Sequence, residues 1–257
     1  MSKTRQEAHA CPAQPSPVTT LTYDFDDGHV VPEHFHPEDQ LVYASRGVMI
    51  VRTRDGTWIV PPQRAVWIPA KVPHSILMSG AVSMRTLYLR ASLVRSLPRS
   101  CRVVNVSPLL RELILHACSF PFLNRRRRSH SHLLDLIVDQ LETVQAMPLQ
   151  LPKPTDPRAV RVAEALARDP SEARSLSQLC REAGASKRTI ERLFQIETNM
   201  TLAAWRQQVR LMRSLQLLAV GEKITRVALE TGYSTPSAFI SMFRRQLGAT
   251  PKRYFTN

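Results

Sequence analysis

The sequence predicts an α+β chain of two domains: an N-terminal β-barrel with flanking helices and an all-α C-terminal domain with two helix-turn-helix motifs. Three observations lead to this prediction. Short apolar or alternating stretches broken by turn residues fill residues 19–88, a pattern typical of strands. Helical spacing of apolar residues begins near Pro108, and a segment with four prolines then separates it from a helical C-terminal region.

The N-terminal strand candidates are closely spaced, as in a β-barrel or jelly roll. Gly47, the Asp55-Gly56 pair and Pro61-Pro62 separate them. Asp-Gly is a favoured two-residue hairpin turn, so we expect a hairpin at Asp55-Gly56. The candidate strands are residues 41–43, 48–51, 58–60, 66–68 and 84–88.

Two amphipathic stripes follow the strands and predict two helices. Such helices either cover the barrel or pair with a second subunit, and we favour packing within the chain. The run of arginines at residues 125–128 is interpreted as a solvated loop between them, with an auxiliary phosphate contact as the alternative. The stripes are Leu109, Leu110, Leu113 and Ile114, then Leu133, Leu136, Ile137, Leu141 and Val144.

Prolines at positions 148, 152, 154 and 157 predict a linker without regular structure over residues 147–155. Asp156 is a suitable N-cap and Pro157 suits the first helical position, so a helix is expected to begin there and to end before Asp169-Pro170. The first 18 residues contain charge and proline without an apolar core. We therefore expect a disordered arm over residues 1–18 and no signal peptide.

One pattern occurs twice in the C-terminal region. Residues 179–194 and 227–243 each read as a short helix, a Gly-containing turn and a helix with apolar spacing i, i+3, i+4. The glycines, Gly184 and Gly232, are 48 residues apart, whereas Ile190 and Phe239 are 49 apart, so the second turn is one residue longer. Two helix-turn-helix motifs and a net charge of +14 predict double-stranded DNA as a partner.

Each motif has a predicted reading helix. Ser175 and Gln178 form a capping-box pattern before the first motif, Ser186 is expected to cap its reading helix, and Ser234 or Thr235 to cap the second. Residues 202–218 predict one rigid helix that joins the motifs. The outward side chains are Lys187, Arg188, Thr189, Glu191, Arg192 and Gln195 in the first helix, and Ser237, Ile240, Ser241, Arg244 and Arg245 in the second. A helical bundle with merely solvent-facing arginines is the less favoured alternative.

Residues 156–257 resemble the DNA-binding domain of the AraC/XylS family of transcriptional regulators. The matching stretch is Ile224-x-x-Val227-Ala228-x-x-x-Gly232-Tyr233-x-x-x-Ser237-x-Phe239-x-x-x-Phe243-Arg244-x-x-x-Gly248-x-Thr250-Pro251-x-x-Tyr254. The resemblance implies seven helices with two motifs that enter successive major grooves. It places base contacts on Lys187, Arg188, Glu191 and Arg192, then on Pro236, Ser237, Ile240, Ser241 and Arg244. Because Pro236 and Ile240 cannot hydrogen-bond to base edges, we expect the second motif to favour positioning over base reading.

Residues 19–146 resemble a cupin. Gly28-x5-His34-x-His36-x3-Gln40-x6-Gly47 is similar to the first cupin motif, with Gln40 where the family carries Glu, and Pro69-x-Lys71-x2-His74 is similar to the second. Two interpretations stay open. In the first, His34, His36 and His74, with Gln40 as a weak fourth ligand, hold a divalent transition metal. In the second, which we favour, the barrel has a metal-free effector pocket or a degenerate site, so that no cofactor is required. The expected pocket residues are Tyr43, Trp67, His34, His36 and His74.

Together the resemblances imply a cytoplasmic, effector-controlled, sequence-specific DNA-binding regulator. Its expected partners are DNA, a small-molecule effector, a second copy of the chain and, for an activator, RNA polymerase. No apolar run is long enough to span a membrane, and no enzymatic activity is expected. Two alternatives from other classes are a metal-dependent cupin enzyme tethered to DNA and an effector-free architectural DNA binder. The direction of regulation is left open.

Overall fold

The computed structural model describes residues 17–94, 97–143, 146–147 and 149–256. Residues 1–16 of the predicted arm lie outside this part of the chain. Val18, the last residue of the predicted arm, does not belong to a disordered segment. Val18 begins the first strand, is fully buried and pairs with Leu89 and Leu123.

The N-terminal part of the described chain has ten strands and two helices. The strands are β1 (Val18–Phe25), β2 (Val30–His34), β3 (Asp39–Thr53), β4 (Gly56–Val60), β5 (Arg64–Ile68), β6 (His74–Leu89), β7 (Arg102–Asn105), β8 (Phe122–Leu123), β9 (Ala146–Met147) and β10 (Gln150–Pro152). The helices are α1 (Pro108–Ala117) and α2 (Arg128–Thr143). Residues 125–127 precede α2 and are exposed, as predicted, but Arg128 is the first residue of α2 and not part of the loop.

The sheet folds into two antiparallel walls because β3 and β6 are long and bend. Their pairing is irregular between Ala44 and Val48, where Gly47 has a φ of 74°. Wall 1 contains residues 39–44 of β3 and 82–89 of β6 with β1, β5, β7, β8 and β9; wall 2 contains residues 48–53 of β3 and 74–79 of β6 with β2, β4 and β10. Apolar residues of both walls form one inner cluster, so the predicted jelly-roll barrel is confirmed.

The predicted hairpin is present but shifted by one residue. Thr53 pairs with Gly56, so Arg54 and Asp55 form the two-residue turn and Gly56 begins β4. A Cβ on Gly56 would lie 2.7 Å from the carbonyl oxygen of Leu151. Glycine is therefore needed at this position because the backbone of another strand approaches it closely.

That strand, β10, contradicts the prediction of a linker without regular structure. Gln150 pairs with Trp58 and Pro152 with Gly56 at the edge of wall 2. Leu149 is 2% exposed and anchors the segment. Proline is tolerated at a strand edge because no neighbouring strand needs its missing N–H.

Helices α1 and α2 cover the outer face of wall 1. Leu110, Ile114 and Ile137 are fully buried in a cluster with Leu41 and Leu87. The expected packing within the chain is confirmed. The prediction of a buried stripe is wrong at two positions, because Leu109 and Leu136 are 53% and 48% exposed. The Val144 side chain lies outside the described part of the chain.

The C-terminal part contains seven helices in the described residues. They are α3 (Pro157–Arg168), α4 (Leu176–Glu182), α5 (Lys187–Thr198), α6 (Leu202–Ala219), α7 (Ile224–Glu230), α8 (Pro236–Leu247) and α9 (Pro251–Thr256). The motifs are α4–α5 and α7–α8, and the second connection is one residue longer, as predicted. Gly184 and Gly232 have φ of 80° and 75°, which favours glycine at both turns.

Helix α6 joins the two motifs and also packs against the barrel. Met212 and Leu215 belong to a cluster that joins apolar residues of the barrel to the core of the second motif, including Phe239 and Phe243. At the C-terminal end of α6, a Cβ on Gly80 of β6 would lie 2.4 Å from the carbonyl oxygen of Ala219. The two domains therefore share a tight interface. None of the helices in the described residues is long and apolar enough to cross a membrane.

Candidate nucleic-acid interface and histidine site

The first reading helix, α5, presents a polar face. Ser186 caps it, with Oγ 3.1 Å from the Thr189 N, and Ile190 and Phe194 are fully buried beneath it. A 3.4 Å ion pair between Lys187 and Glu191 lies on the outer face. All five predicted contact residues are exposed: Lys187, Arg188, Glu191, Arg192 and Gln195; Thr189, also predicted to face outward, is half-buried.

The second reading helix, α8, is less polar. Thr235 rather than Ser234 is its N-cap, since Thr235 Oγ1 accepts a hydrogen bond from the Ala238 N at 3.2 Å. Ile240 is half-buried and packs against the core, so its prediction as a wholly outward residue is wrong. The exposed predicted residues are Pro236, Ser237, Ser241 and Arg244, together with Arg245.

Sequence reasoning missed two arginines that fix the turns of the motifs. Arg161 of α3 donates to the Ala183 carbonyl at 2.7 Å in the first turn. Arg210 of α6 lies over the Tyr233 ring, 5.6 Å from its centroid, and donates to the Pro170 carbonyl at 3.1 Å. These contacts are distant in sequence, so no local pattern indicates them. Both hold a turn that aims a reading helix.

The first helix of the first motif, α4, begins differently from the prediction in one respect. Ser175 caps α4 as expected, with Oγ 3.2 Å from the Gln178 N. The reciprocal half of the capping box is absent from this site, because the Gln178 side chain donates to Glu182 at 3.2 Å instead. The cap is confirmed and the box is wrong.

Three histidines meet inside the barrel. His34 pairs with His74 between β2 and β6, and His36 follows β2. One ligand nitrogen from each lies within 4.8 Å of the other two. Gln40 is 2% exposed and its Nε2 donates to Thr86 Oγ1 at 3.1 Å, while its Oε1 has no described hydrogen-bond partner.

The hydrogen bonds of two rings determine which nitrogens remain for a ligand. His34 Nδ1 lies 2.7 Å from the Pro32 carbonyl and His74 Nδ1 lies 2.9 Å from the Val72 carbonyl. A carbonyl only accepts, so each Nδ1 carries the proton. Burial, with a smaller contribution from His34, lowers the pKa of His74 to about 4. His74 is therefore neutral at pH 7, with a lone pair on Nε2.

Tyr43 and Trp67 do not join the histidines in one pocket, contrary to the prediction. Both lie on the outer face of wall 1, against α1 and α2, whereas Gln40 and Val42 belong to the opposite face of β3. Trp67 Nε1 donates to the Pro98 carbonyl at 3.0 Å. It lines a separate cavity of about 270 Å3 with Arg102.

Comparison with known proteins identifies the family. An AraC-like ligand-binding domain matches residues 17–203, and a helix-turn-helix domain matches residues 179–257. The HTH-type transcriptional regulator NimR of Escherichia coli is 34% identical over 223 residues, which cover 87% of this chain and 81% of NimR. The chain belongs to the AraC family of transcriptional regulators.

Other AraC-family relatives span both domains. The thermoregulatory protein LcrF of Yersinia pestis is 27% identical over 240 residues, covering 90% of this chain and 81% of LcrF. A crystal structure of ToxT from Vibrio cholerae covers 94% of this chain and 95% of its own, at 14% identity and a TM-score of 0.40. The two matching domain families and the relatives NimR and LcrF show that the protein is a DNA-binding transcriptional regulator with an N-terminal ligand-binding domain.

The histidine site of this AraC-family chain has donors suited to a divalent transition metal. Metal-bound histidines commonly donate their second ring N–H to a backbone carbonyl, as His34 and His74 do here. The buried His74 Nε2 has no described hydrogen-bond partner and points to the same cluster. The residues present therefore fit an ion such as Zn²⁺ or Fe²⁺.

Proposed function

We propose that this AraC-family regulator reads a specific DNA sequence mainly through α5, while α8 positions the protein on the duplex. The single observation that supports this division is the difference between the two exposed faces. Helix α5 presents Lys187, Arg188 and Arg192 from its first two turns, whereas α8 presents Ser237 and Ser241 there and carries its exposed arginines, Arg244 and Arg245, in its last turn. Arginine and lysine pair with guanine, while serine makes weaker and less selective contacts.

Selection of DNA from a random library tests this proposal. Purified full-length protein should enrich one sequence with two half-sites about one helical turn apart, roughly 34 Å, because α6 joins the motifs rigidly. The half-site bound by α5 should show the stronger base preference. Enrichment of no sequence, with steep salt dependence, would instead support an architectural binder.

We further propose that a small-molecule effector controls DNA binding and that the protein acts as a homodimer in the cytoplasm. The AraC-like ligand-binding domain supports an effector. The exposed Leu109 of α1 and Leu136 of α2 support contact with a second copy. An activator would also contact RNA polymerase. Sedimentation with and without DNA measures the oligomeric state, and a monomer in both conditions contradicts the dimer.

The histidine cluster supports a second proposal, that the barrel holds a divalent metal through His34, His36 and His74. Gln40 would complete the set through Oε1. A bound ion supplies a fixed positive charge inside the barrel; we propose binding rather than catalysis, because the relatives are regulators.

Metal binding is tested on the full-length protein. Purified protein should bind one equivalent of Co²⁺ with visible absorption bands, and His74→Ala should abolish them. His132→Ala, at an exposed histidine of α2, is the matched control and should bind normally. Equal binding by wild type and His74→Ala would contradict this site.

A further inference from the structure

A cavity of about 270 Å3 lies between the outer face of wall 1 and the C-terminal end of α2. Trp67 of β5 and Val104 of β7 line it from the sheet, and Leu141 lines it from the helix. Its volume lies just below the usual range for ligand pockets, so it suits a small ligand. Neither the reading helices nor the histidine cluster uses this space.

The lining offers an apolar wall and one unused hydrogen-bond donor. Trp67 Nε1 already donates to the Pro98 carbonyl at 3.0 Å, so the indole presents only its apolar ring surface. Arg102 of β7, opposite Trp67 in the sheet, also lines the cavity. Its Nε is buried and has no hydrogen-bond partner among the described residues. Because an unsatisfied buried donor costs free energy, a ligand oxygen that accepts this N–H would be stabilised.

The charges of the lining favour a neutral ligand. Glu142 of α2 is exposed and lines the cavity together with Arg102, so their formal charges cancel. An anionic ligand would meet both charges at once and would lose its hydration against Trp67 and Leu141. A neutral molecule with a carbonyl oxygen avoids these costs and still accepts from Arg102. An aromatic ring beside that carbonyl complements the indole of Trp67.

The cavity lies at the start of the connection to the DNA-binding domain. Helix α2 leads to β9, which pairs with β7 through Ala146 and Val104. Strand β10 follows and pairs with β4, and residues 153–156 then reach α3. Trp205 of α6 donates to the Pro152 carbonyl at 2.9 Å, so the DNA-binding domain also holds β10. The segment that leaves the cavity is therefore anchored on both domains.

We propose that this cavity is the effector site and that the effector is a small neutral aromatic molecule whose carbonyl oxygen accepts a hydrogen bond from Arg102 Nε. The inference rests on the proposed effector control of DNA binding. A ring bound between β7 and the end of α2 fixes their separation, and β9 and β10 transmit it to α3. Because the ligand touches both elements, its binding free energy depends on their relative placement and shifts that equilibrium.

The experiment uses full-length protein with benzamide as the probe, aniline as the ring without a carbonyl group and benzoate as the anionic counterpart. Titration followed by saturation-transfer NMR should detect benzamide binding and at least about tenfold weaker binding of aniline, as expected for a lost hydrogen bond to a charged donor. Benzoate should bind more weakly than benzamide because of Glu142. Arg102→Met should weaken benzamide binding about tenfold, and Leu141→Trp, which fills the cavity, should abolish it. Arg90→Met, at an exposed arginine outside the cavity, is the matched control and should bind as wild type does.

The same proteins are then measured on the DNA sequence selected above. Saturating benzamide should change the DNA affinity of wild type and Arg90→Met at least about fivefold, whereas Arg102→Met should need about tenfold more benzamide for the same change. Absence of benzamide binding, equal binding of aniline, tighter binding of benzoate, wild-type binding by Arg102→Met, or unchanged DNA affinity of the loaded protein would each overturn the inference. Arg102→Met decides alone if Leu141→Trp does not fold. Failure to select any DNA sequence would instead overturn the proposed function, whatever benzamide binding shows.

Discussion

Single side chains on α5 decide how the protein distinguishes DNA sequences. Arg192 is exposed on the reading face, and no ion pair with it is described. If it pairs with a guanine, Arg192→Ala should cost about 1–3 kcal/mol at one base position and relax the preference there. Fluorescence anisotropy against a set of single-base operator variants measures this cost.

The form of the loss separates base reading from phosphate contact. Uniform weakening across all operator variants, with a lower salt slope, would assign Arg192 to a phosphate. Arg46→Ala, on the barrel, is the control for a general loss of positive charge and should leave the preference unchanged.

Another residue-scale effect is the dependence of stability on pH at Glu172. Hydrogen bonds from the Arg174 side chain and backbone, with further help from the charge of Arg206, lower the pKa of Glu172 to about 2. The folded-state pKa lies below the ordinary value of 4.5, so the unfolded state binds the proton more tightly. This stabilisation is fully present above about pH 4.5 and is lost as the pH falls towards 2.

Glu172→Gln should therefore be less stable than wild type at pH 6, and the difference in unfolding free energy should shrink as the pH is lowered to 3. Urea denaturation at both pH values measures the difference. Glu164→Gln, at an exposed residue of α3, is the control, and its difference from wild type in unfolding free energy should be the same at both pH values. A difference for Glu172→Gln that is constant with pH would contradict this role for the carboxylate.

At the scale of elements, capping determines how firmly α8 begins. Thr235 Oγ1 accepts from the Ala238 N, whereas no hydrogen bond of the Ser234 side chain is described. Thr235→Ala should lower the unfolding free energy by about 1 kcal/mol. Ser234→Ala is the matched control and should change it by less than about 0.5 kcal/mol. Chemical denaturation measures both variants. Equal losses of unfolding free energy in Thr235→Ala and Ser234→Ala would contradict the assignment of the N-cap to Thr235.

Sequence predicted those elements whose signals are local. Both helix-turn-helix motifs follow from a cap, a glycine and apolar spacing within about twenty residues, and α5 exposes every residue predicted to contact DNA. The sequence did not show in the same way whether a strand side chain points into the barrel or towards its outer face. Residues 39–44 of β3 are all buried, because the barrel interior lies on one side of wall 1 and α1 and α2 on the other.

Alternation of polar and apolar residues therefore disappears, and Tyr43 could not be distinguished from Gln40 by pattern. The histidine cluster was predictable because a motif, rather than periodicity, indicated it. Strand β10 was missed because its proline pattern predicts an irregular linker, while its pairing with β4 depends on Gly56, nearly a hundred residues earlier.

At the scale of the whole molecule, the two domains are not independent. Helix α6 packs against β3, β6 and β10, so residues 156–257 alone would expose this face of the helix. We expect this fragment to select the same DNA sequence as the full chain, more weakly, and to unfold at a lower temperature. Repeated selection and thermal unfolding test both expectations. Complete loss of specific DNA binding by a folded fragment would contradict recognition within the C-terminal domain.

The pairing of β10 with β4 also sets how far the DNA-binding domain can travel. With β10 in place, only residues 153–156 separate the sheet from α3, a tether of about 14 Å. Release of β10 would extend the tether over residues 148–156 to roughly 31 Å, close to one turn of DNA. The spacing of half-sites that a dimer tolerates therefore indicates the state of this strand. A single tolerated spacing indicates that β10 is paired with β4, and tolerance of an added helical turn indicates that β10 has been released.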